Sequence, residues 1–314
     1  MAHSSVIGKI EQQARGILGP VDNVLLGLSG GADSVALLLV LKHLGLPLHA
    51  VHCNFHLRGD ESDRDMNFCV ELARKNEIPL DLVHFDVPAY ESEHNVSTEV
   101  ACRELRYGYF RSKMQEIGAQ RIAVAHHADD NIETVLLNLF RGCGISGLRG
   151  MLPDANGIIR PLLTTTRAEI LEYLSELHQD FIVDSTNLCS DYRRNFIRNE
   201  LLPMIETRWT GARKAMTSTI TNLRIDDLVL DKLADNILSG LEDPDILPYK
   251  TIVKAPDPEW LLHRWLGKYN ARANIAREIA ATFQEGRPQT GKIWQTTVGK
   301  VLATRKSLCF QKNS

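Results

Sequence analysis

The chain has 314 residues, of which 44% are hydrophobic and 24% are charged, and its net charge at pH 7 is −3. This length is enough for about two domains with sizeable cores. The longest apolar run, Val35 to Leu41, is much shorter than the ~20 residues that span a bilayer, and no basic-then-apolar signal segment opens the chain, so we expect a cytoplasmic protein.

The cysteines are spread singly along the chain. They are Cys53, Cys69, Cys102, Cys143, Cys189 and Cys309. This spacing favours reduced thiols over a disulfide framework. Because no C-x-x-C pair occurs, the sequence argues against a cysteine-bound zinc ion or iron–sulfur cluster.

Charge is distributed unevenly. From Trp260 to Ser314 there are ten Lys or Arg residues against two acids, a local net charge of +8, which leaves −11 for residues 1–259. This segregation indicates that the C-terminal part binds a polyanion, although a solvated basic face would have the same composition.

The first part of the chain alternates strand-like and helix-like segments. Apolar strands are predicted at 23–29, 47–55, 79–87 and 121–127. Helices are predicted from Asp33, about Ser62, about Ser97 and Asp129. Such alternation predicts an open, doubly wound parallel sheet covered by helices on both faces. Ligands of these sheets bind beyond the carboxyl ends of the strands.

The pattern changes towards the C-terminus. A further helix is predicted over 166–178, with Thr165 or Thr166 as its cap. From about Thr217 apolar residues recur at helical spacing, and a Pro- and Asp-rich segment follows. Beyond it we expect a helix over 261–285 and a small sheet whose two strands meet near Gly299. The predicted domains are therefore 1–215 and a smaller, mainly helical, basic domain of 216–314.

A Gly-Gly turn lies directly between the first predicted strand and the first helix, in the stretch LSGGADS. Such a turn directs several backbone N–H groups at one point in front of the sheet, which favours phosphate. The glycines allow close backbone approach, and the serines add hydroxyl donors. The predicted phosphate site consists of Ser29, Gly30, Gly31, Ala32, Asp33 and Ser34. A tight strand–helix turn with a side-chain cap is the structural alternative.

The loop differs from two other nucleotide motifs. No lysine follows the glycines as in a Walker loop, and G-x-G-x-x-G is absent. The carboxylate of Asp33 would stand beside the phosphates, which makes sense if Mg²⁺ lies between them.

A second acidic group opens the helix after the fourth strand. Asp129 and Asp130 lie in its first turn, and Glu133 lies one turn further on. These carboxylates would repel a nucleotide unless a metal ion or an ammonium group lies among them. For Asp129, simple complementarity to the helix dipole is an alternative. His126 and His127 are neighbours on a strand and point to opposite faces, which argues against a shared metal ion.

The SGGADS loop resembles the pyrophosphate loop of N-type ATP pyrophosphatases, which cleave ATP between the α and β phosphates and transfer AMP to an acceptor oxygen. Several further segments are similar, in order and spacing, to tRNA(Ile)-lysidine synthetases. These segments are 52–65, 101–110, 125–142, 147–151, 160–163 and 184–203. They cover most of residues 20–205, and the final hairpin resembles that family's first C-terminal domain more weakly. The resemblance implies an adenine nucleotide α-hydrolase-like fold.

This resemblance implies a ligase that modifies the wobble cytidine of a CAU-anticodon tRNA(Ile). The oxygen at carbon 2 of the cytidine attacks the α-phosphate of ATP, and free L-lysine then displaces AMP, so that the codon read changes from AUG to AUA. The implied cofactors are ATP and Mg²⁺. The oligomeric state is not implied, and a homodimer remains open.

The resemblance also implies residue roles. The loop serines and glycines would hold the β and γ phosphates, and Asp33 would bind Mg²⁺. Arg106 would neutralise charge on the transferring α-phosphate. Asp130 and Glu133 would hold Mg²⁺ or the substrate lysine.

A cationic cluster with interleaved aromatic residues follows in the segment DYRRNFIRN. Arg193, Arg194 and Arg198 offer phosphate contacts, and Tyr192 and Phe196 offer stacking to splayed anticodon bases. Structural salt bridges are the alternative. In the basic C-terminal part, Lys300 and Arg305 are predicted to contact tRNA.

Three other functions remain open. A tRNA thiolase of the same class would share the sheet and loop but normally relies on cysteine pairs. A small-molecule amidoligase would share the loop but would have no use for the basic tail. A nucleotide-binding protein without catalysis would not need Arg106 and the acids together.

Overall fold

The structure of the protein is a computed structural model that describes residues 5–18, 23–183, 192–284, 286 and 288–313. The chain divides after Leu223 into two compact units, close to the boundary predicted near residue 215. Within the described ranges no helix is long and apolar enough to cross a membrane.

The first unit contains a six-stranded sheet. Its strands are β1 (Val24–Gly27), β2 (Leu48–Asn54), β3 (Leu80–His84), β4 (Arg121–Ala123), β5 (Asp154–Ala155) and β6 (Ile158–Ile159). Their order is β3-β2-β1-β4-β6-β5, and every neighbouring pair is parallel except β5 and β6. The first four strands were predicted. Because β1 pairs with both β2 and β4, the strand order reverses there and opens a crevice at the carboxyl ends.

Helices cover the sheet. In the first unit they are α1 (Val6–Leu18), α2 (Ala32–His43), α3 (Asp60–Lys75), α4 (Val87–His94), α5 (Thr98–Glu116), α6 (Ala128–Arg141), α7 (Ile145–Leu148), α8 (Arg167–Glu176), α9 (Tyr192–Phe196) and α10 (Leu202–Arg208). A π-helical turn, Ile197–Leu201, joins α9 to α10. The long helix α11 (Ala212–Leu238) contains the division between the units.

Both faces of the sheet are buried, as the alternation of side chains along β1 requires. Val24 and Leu26 belong to the cluster that packs against α1, α2 and α8, whereas Leu25 belongs to the cluster that packs against Phe110 of α5. Helix α2 is apolar nearly all round and carries nine buried residues, as expected for a helix inside the core. This arrangement confirms the predicted doubly wound sheet.

The second unit combines helices with an antiparallel sheet. Its other elements are α12 (Tyr249–Lys254), α13 (Pro258–Gly267), α14 (Ala273–Gln284), β7 (Ile246–Pro248), β8 (Ile293–Gln295), β9 (Gly299–Ala303) and β10 (Ser307–Lys312). The strand order is β7-β10-β9-β8. The predicted hairpin at Gly299 is present as β8 and β9, but the sheet is larger than predicted. Strand β7 comes from the Pro- and Asp-rich segment because its Leu247 pairs with Leu308 and both are fully buried.

The helix predicted over 261–285 is two helices. Between them Asn270 adopts a left-handed conformation with φ of 49°, which a continuous helix excludes. The ring of Tyr269 stacks on Phe310 with 3.7 Å between the ring centroids. Tyr269, the residue next to the break, is therefore held by a tertiary contact. The helical periodicity of the sequence does not reveal this contact.

Candidate active site

The loop between β1 and α2 is held in a tight turn by its two serines. The Ser34 hydroxyl accepts the backbone N–H of Ser29 at 3.2 Å and lies 3.0 Å from the carbonyl oxygen of Gly31, to which it donates. The two serine hydroxyl oxygens lie 3.1 Å apart. Ser34 is buried and Ser29 is exposed, and both line the cleft described below.

The two glycines of the loop are required for different reasons. Gly30 has φ of +86°, its carbonyl accepts the N–H of Ile182 at 2.9 Å, and an added Cβ would lie 2.4 Å from Ile182 Cδ1. Gly31 has φ of −70°, and an added Cβ would meet nothing nearer than Ser29 Oγ at 3.7 Å. Gly30 therefore serves the fold, while Gly31 leaves the surface in front of the sheet open.

A cleft of about 460 Å³ lies at the carboxyl ends of β1 and β2 and is lined by the loop. Its volume falls within the range of small-molecule sites. Arg106 of α5 lines it, with the guanidinium carbon 5.2 Å from the ring centroid of Phe55. Phe55 in turn stacks on Phe85 at 5.4 Å. These ring contacts hold the Arg106 side chain at the wall of the cleft.

The start of α6 presents its acids towards the same edge of the sheet. The carboxylate of Asp130 accepts the backbone N–H of His127 at 3.1 Å. One His127 ring nitrogen, Nε2, lies 3.4 Å from Asp130 Oδ2 and 3.7 Å from Asp33 Oδ1. Because one imidazole nitrogen is close to both carboxylates, the phosphate loop and the start of α6 meet at His127.

Arginines neutralise the α6 acids. Glu133 is fully buried and accepts Nε of Arg194 at 2.8 Å and Nε of Arg198 at 2.6 Å. Arg198 Nη2 also bonds Glu133 at 3.0 Å and Asp130 at 3.0 Å. These contacts explain how a buried carboxylate is tolerated.

Two further arginines complete the group. Arg167 pairs with Asp33, and Arg213 pairs with Asp129. The backbone N–H of Arg167, at the start of α8, also donates to Asp129 at 2.8 Å. We call this group of four acids and four arginines the carboxylate–arginine cluster. It comprises Asp33, Asp129, Asp130, Glu133, Arg167, Arg194, Arg198 and Arg213.

The protonation states of the cluster follow from burial and neighbouring charge. Burial acts to raise the pKa of Asp130, but the two neighbouring histidines and the His127 N–H outweigh it and hold this pKa below its ordinary value. Burial lowers the pKa of His126 to about 4. Burial also acts against charge on Arg198, yet its bond to Glu133 raises the pKa of that guanidinium. At neutral pH, Asp130 is ionised and His126 is neutral.

The structure brings most of the predicted site residues together. Arg106 lines the cleft with four residues of the predicted phosphate site, Ser29, Gly31, Asp33 and Ser34, whereas Gly30 and Ala32 do not line it. Asp130 and Glu133 lie in the carboxylate–arginine cluster with Arg194 and Arg198. Arg193 is exposed on α9. Lys300 lies in β9 and Arg305 in the turn before β10, both in the second unit. Residues 184–191 of the segment 184–203, which include Cys189, lie outside the described residues, as does the side chain of Tyr192.

Sequence reasoning did not identify Arg167 or Arg213. Each is far along the chain from its partner acid, 134 residues in one case and 84 in the other. Arg167 lies in the helix start TTRAEI, but this pattern predicted only a capping threonine. Thr166 is that cap, with Glu169 in a capping box.

The residues present are compatible with a magnesium site that depends on phosphate. Within the described ranges no group of three or more His, Cys, Asp or Glu residues is arranged to hold a metal ion. Mg²⁺ in nucleotide sites is usually held by one or two carboxylates together with phosphate oxygens. Asp33, a third exposed beside the loop, is a donor of that kind.

Comparisons with known proteins identify relatives over nearly the whole chain. Residues 6–205 match the PP-loop domain family. The tRNA(Ile)-lysidine synthase of Parabacteroides distasonis is 41% identical over 289 residues, which are 91% of this chain and 65% of that protein. The protein of the same name from Bacteroides thetaiotaomicron is 40% identical over 297 residues, which are 94% of this chain and 69% of that protein.

Among solved structures, the U34-tRNA thiolase NcsA of Methanococcus maripaludis, with its iron–sulfur cluster, is similar with a TM-score of 0.56 and 20% identity. The match covers 70% of this chain and 78% of that one. At this identity the likeness shows a shared fold alone.

Proposed function

Since the chain belongs to the tRNA(Ile)-lysidine synthase family, as its motifs indicated, we propose that it ligates L-lysine to carbon 2 of the wobble cytidine in a CAU-anticodon tRNA(Ile). ATP would activate the cytidine and leave as AMP and pyrophosphate. The observation that carries this proposal is the meeting of the phosphate loop and the acidic start of α6 at His127, where the strand order reverses.

The phosphate loop would bind the β and γ phosphates of ATP. Ser29 and Gly31 line the cleft, and the start of α2 lies directly behind them. Backbone N–H groups at a helix start attract phosphate. Asp33 would hold Mg²⁺, which would supply positive charge that neutralises the phosphates. This placement would leave the α-phosphate towards the cleft wall formed by Arg106.

Arg106 would stabilise the charge that develops during AMP transfer. The cytidine oxygen forms a bond to the α-phosphorus while the bond from that phosphorus to the pyrophosphate oxygen breaks. Because Arg106 is already positioned by Phe55, its guanidinium would need little rearrangement as charge moves onto the α-phosphate. Lysine nitrogen would then bond to carbon 2 as the carbon–oxygen bond to AMP breaks.

Asp130 and Glu133 would act on the cationic groups of the reaction, as either ligands of Mg²⁺ or partners of lysine. Both oxygens of Glu133 accept bonds from Arg194 and Arg198. A lysine ammonium could reach Glu133 after these arginines turn towards RNA phosphate. Glu133 would therefore couple lysine binding to tRNA binding.

The anticodon would be held by the exposed part of α9 and the following π-helical turn. Arg193 and Phe196 are exposed there, next to Arg194 and Arg198. Arginine and aromatic side chains are the groups that bind phosphates and splayed bases of single-stranded RNA. Lys300 and Arg305 of the second unit would add sequence-independent phosphate contacts.

A tRNA thiolase is the second candidate, and three of the five described cysteines argue against it. Sulfur transfer needs a reactive thiolate or a bound cluster. Burial raises the pKa of Cys53 and of Cys69 to about 12, and burial also raises the pKa of Cys102. These thiols stay protonated at neutral pH and are poor nucleophiles.

The proposal is tested by transfer of radiolabelled lysine onto an unmodified CAU-anticodon tRNA(Ile) transcript, with ATP and Mg²⁺ and with AMP release measured alongside. Labelling confined to the wobble cytidine is expected. A transcript with that cytidine replaced by uridine is the matched control and should stay unlabelled. Release of AMP without lysine transfer would contradict lysine as the nucleophile while retaining the ATP chemistry.

A further inference from the structure

The carboxylate–arginine cluster is balanced in charge, with four carboxylates and four guanidiniums. Each of the acids pairs with at least one of the arginines. A triphosphate is strongly anionic and needs cationic donors, which a cluster of satisfied pairs does not supply. Opening of one of these ion pairs beside Asp33 would add a guanidinium to the backbone N–H groups and Arg106 that face the nucleotide.

Arg167 is the guanidinium with the fewest acidic partners. Arg194, Arg198 and Arg213 each contact two acidic residues. Within the described part of the chain, the side chain of Arg167 pairs with one, Asp33. The Arg167 side chain is 38% exposed, so solvent can replace this partner at a small cost.

Arg167 is also fixed in position by its backbone. It is the first residue of α8, after the Thr166 cap, and its N–H bonds Asp129. Its partner Asp33 is the second residue of α2, next to the loop that would hold phosphate. A guanidinium has five N–H donors in a fork that matches phosphate oxygens. Donors not directed at Asp33 are thus available within a side-chain rotation of the phosphate loop.

We propose that Arg167 binds the pyrophosphate end of ATP, exchanging Asp33 for a β- or γ-phosphate oxygen when the nucleotide enters. In the absence of nucleotide it neutralises Asp33. With nucleotide bound, it holds the phosphates that leave as pyrophosphate during AMP transfer. The inference deepens the proposed function and rests on it for the identity of the nucleotide.

The experiment measures binding of ATP, inorganic pyrophosphate and AMP to the full chain by calorimetry. Arg167→Ala is expected to weaken ATP and pyrophosphate about tenfold or more, the value of a charge-assisted bond. AMP binding should stay within about twofold, because AMP lacks the phosphates concerned. Arg167→Lys should recover part of the loss, since it restores the charge without the fork.

Arg74→Ala is the matched control, because Arg74 makes one surface ion pair, with Glu71, away from the loop. It should bind all three ligands like the unaltered chain. Equal thermal unfolding midpoints for the variants would establish that they fold. If Arg167→Ala lowers the unfolding midpoint, the ligand affinities of Arg167→Lys are compared with those of the unaltered chain instead, at native stability.

The same measurement in the Asp33→Asn variant separates phosphate binding by Arg167 from neutralisation of Asp33. In Asp33→Asn the carboxylate charge is absent, so a residue that only neutralises it would have no further effect. Pyrophosphate, tested without metal ions, should still bind about tenfold more weakly to Asp33→Asn/Arg167→Ala than to Asp33→Asn. Equal affinity in these two variants would overturn the proposal.

The outcomes also separate this inference from the proposed activity. Loss of pyrophosphate affinity in Arg167→Ala together with absence of lysine transfer in the unaltered chain would support the arginine role and overturn the tRNA activity. Failure of the unaltered chain to bind ATP and pyrophosphate would overturn both. Normal lysine transfer with unchanged ligand affinities in Arg167→Ala would overturn the arginine role alone.

Discussion

Glu133 shows at the scale of single residues how burial and charge constrain the site. Its side chain is inaccessible to solvent, yet two guanidiniums satisfy both of its oxygens. The same contacts hold Arg194 and Arg198 on one side of α6. A carboxylate in this position orders the two arginines.

Replacing this carboxylate by an amide should therefore affect both stability and function. Glu133→Gln removes the charge that compensates two arginines, so we expect a loss of about 2 kcal/mol in the free energy of unfolding. We also expect a higher Michaelis constant for lysine. Urea unfolding and lysine-transfer kinetics measure these effects. Glu172→Gln, at an exposed position of α8, is the control, and an equal response of the two variants would refute the buried role.

His126 should make stability depend on pH. Its pKa is lowered by burial to about 4, whereas an unfolded histidine titrates near ~6.5. Between these values the unfolded chain binds the extra proton, so this stabilising contribution is complete above ~6.5 and is lost as the pH falls towards 4. We expect His126→Gln to flatten the fall in unfolding free energy between pH 7 and pH 5. The exposed His263 provides the control His263→Gln, which should retain the slope.

At the scale of elements, the Gly-Gly turn separates a requirement of the fold from a requirement of ligand binding. Gly30 is left-handed and packed against Ile182, whereas Gly31 is in an ordinary extended conformation and lines the cleft. The sequence presents the two glycines as equivalent. Only the neighbouring chain segment at Ile182 distinguishes them.

The paired alanine variants test this difference. Gly30→Ala should lower the free energy of unfolding by about 1–2 kcal/mol for the left-handed conformation alone, with a further loss from the clash with Ile182. Gly31→Ala should unfold like the unaltered chain but bind ATP more weakly, because its Cβ would project towards the phosphates. Chemical denaturation and ATP titration measure the two effects. Equal stability of the two variants would contradict the assignment of Gly30.

The helix predicted from about Ser97 illustrates what periodicity shows about an element. Ser97 accepts the N–H of Val100 and begins α5 as predicted. The preceding helix α4 was not predicted, and the strand expected over the residues PLDLVHFDV, 79–87, overlaps its first residue. In the structure β3 ends at His84, and Asp86 caps α4 with Pro88 in its first turn. Asp86 and Pro88 are local signals that a helix begins and that β3 has ended, but the adjoining apolar run concealed these signals.

At the scale of the whole molecule, the segregation of charge is the main indication of how the proposed tRNA substrate would be bound. The first 259 residues carry −11 and the remainder +8. A phosphate backbone is attracted to the second region and repelled by much of the first. The catalytic cleft would therefore depend on local arginines to admit the anticodon.

Charge reversal tests the contribution of the second unit. Lys300→Glu combined with Arg305→Glu should weaken tRNA binding and reduce the slope of log affinity against log salt by about 1–2. The matched control reverses Lys75 and Arg111, exposed residues of the first unit, and changes the net charge equally. Filter binding over a salt series measures both. An equal slope change in the two double variants would indicate a general charge effect and contradict specific contacts.

The sequence by itself determined the class of fold, the phosphate loop and the family, because these depend on local signals. Alternating strands and helices, a Gly-Gly turn and a capping threonine act within a few residues of chain. Arg106, Asp130 and Glu133 were proposed as site residues from motifs that are local in the same way.

The tertiary structure alone decided which charges meet. Arg167 reaches Asp33 and Arg213 reaches Asp129 because strand pairing and helix packing bring distant segments to one edge of the sheet. It also decided that Arg194 and Arg198 form ion pairs with Glu133. Ion pairing depends on distance in space and on burial, and neither quantity is contained in sequence spacing.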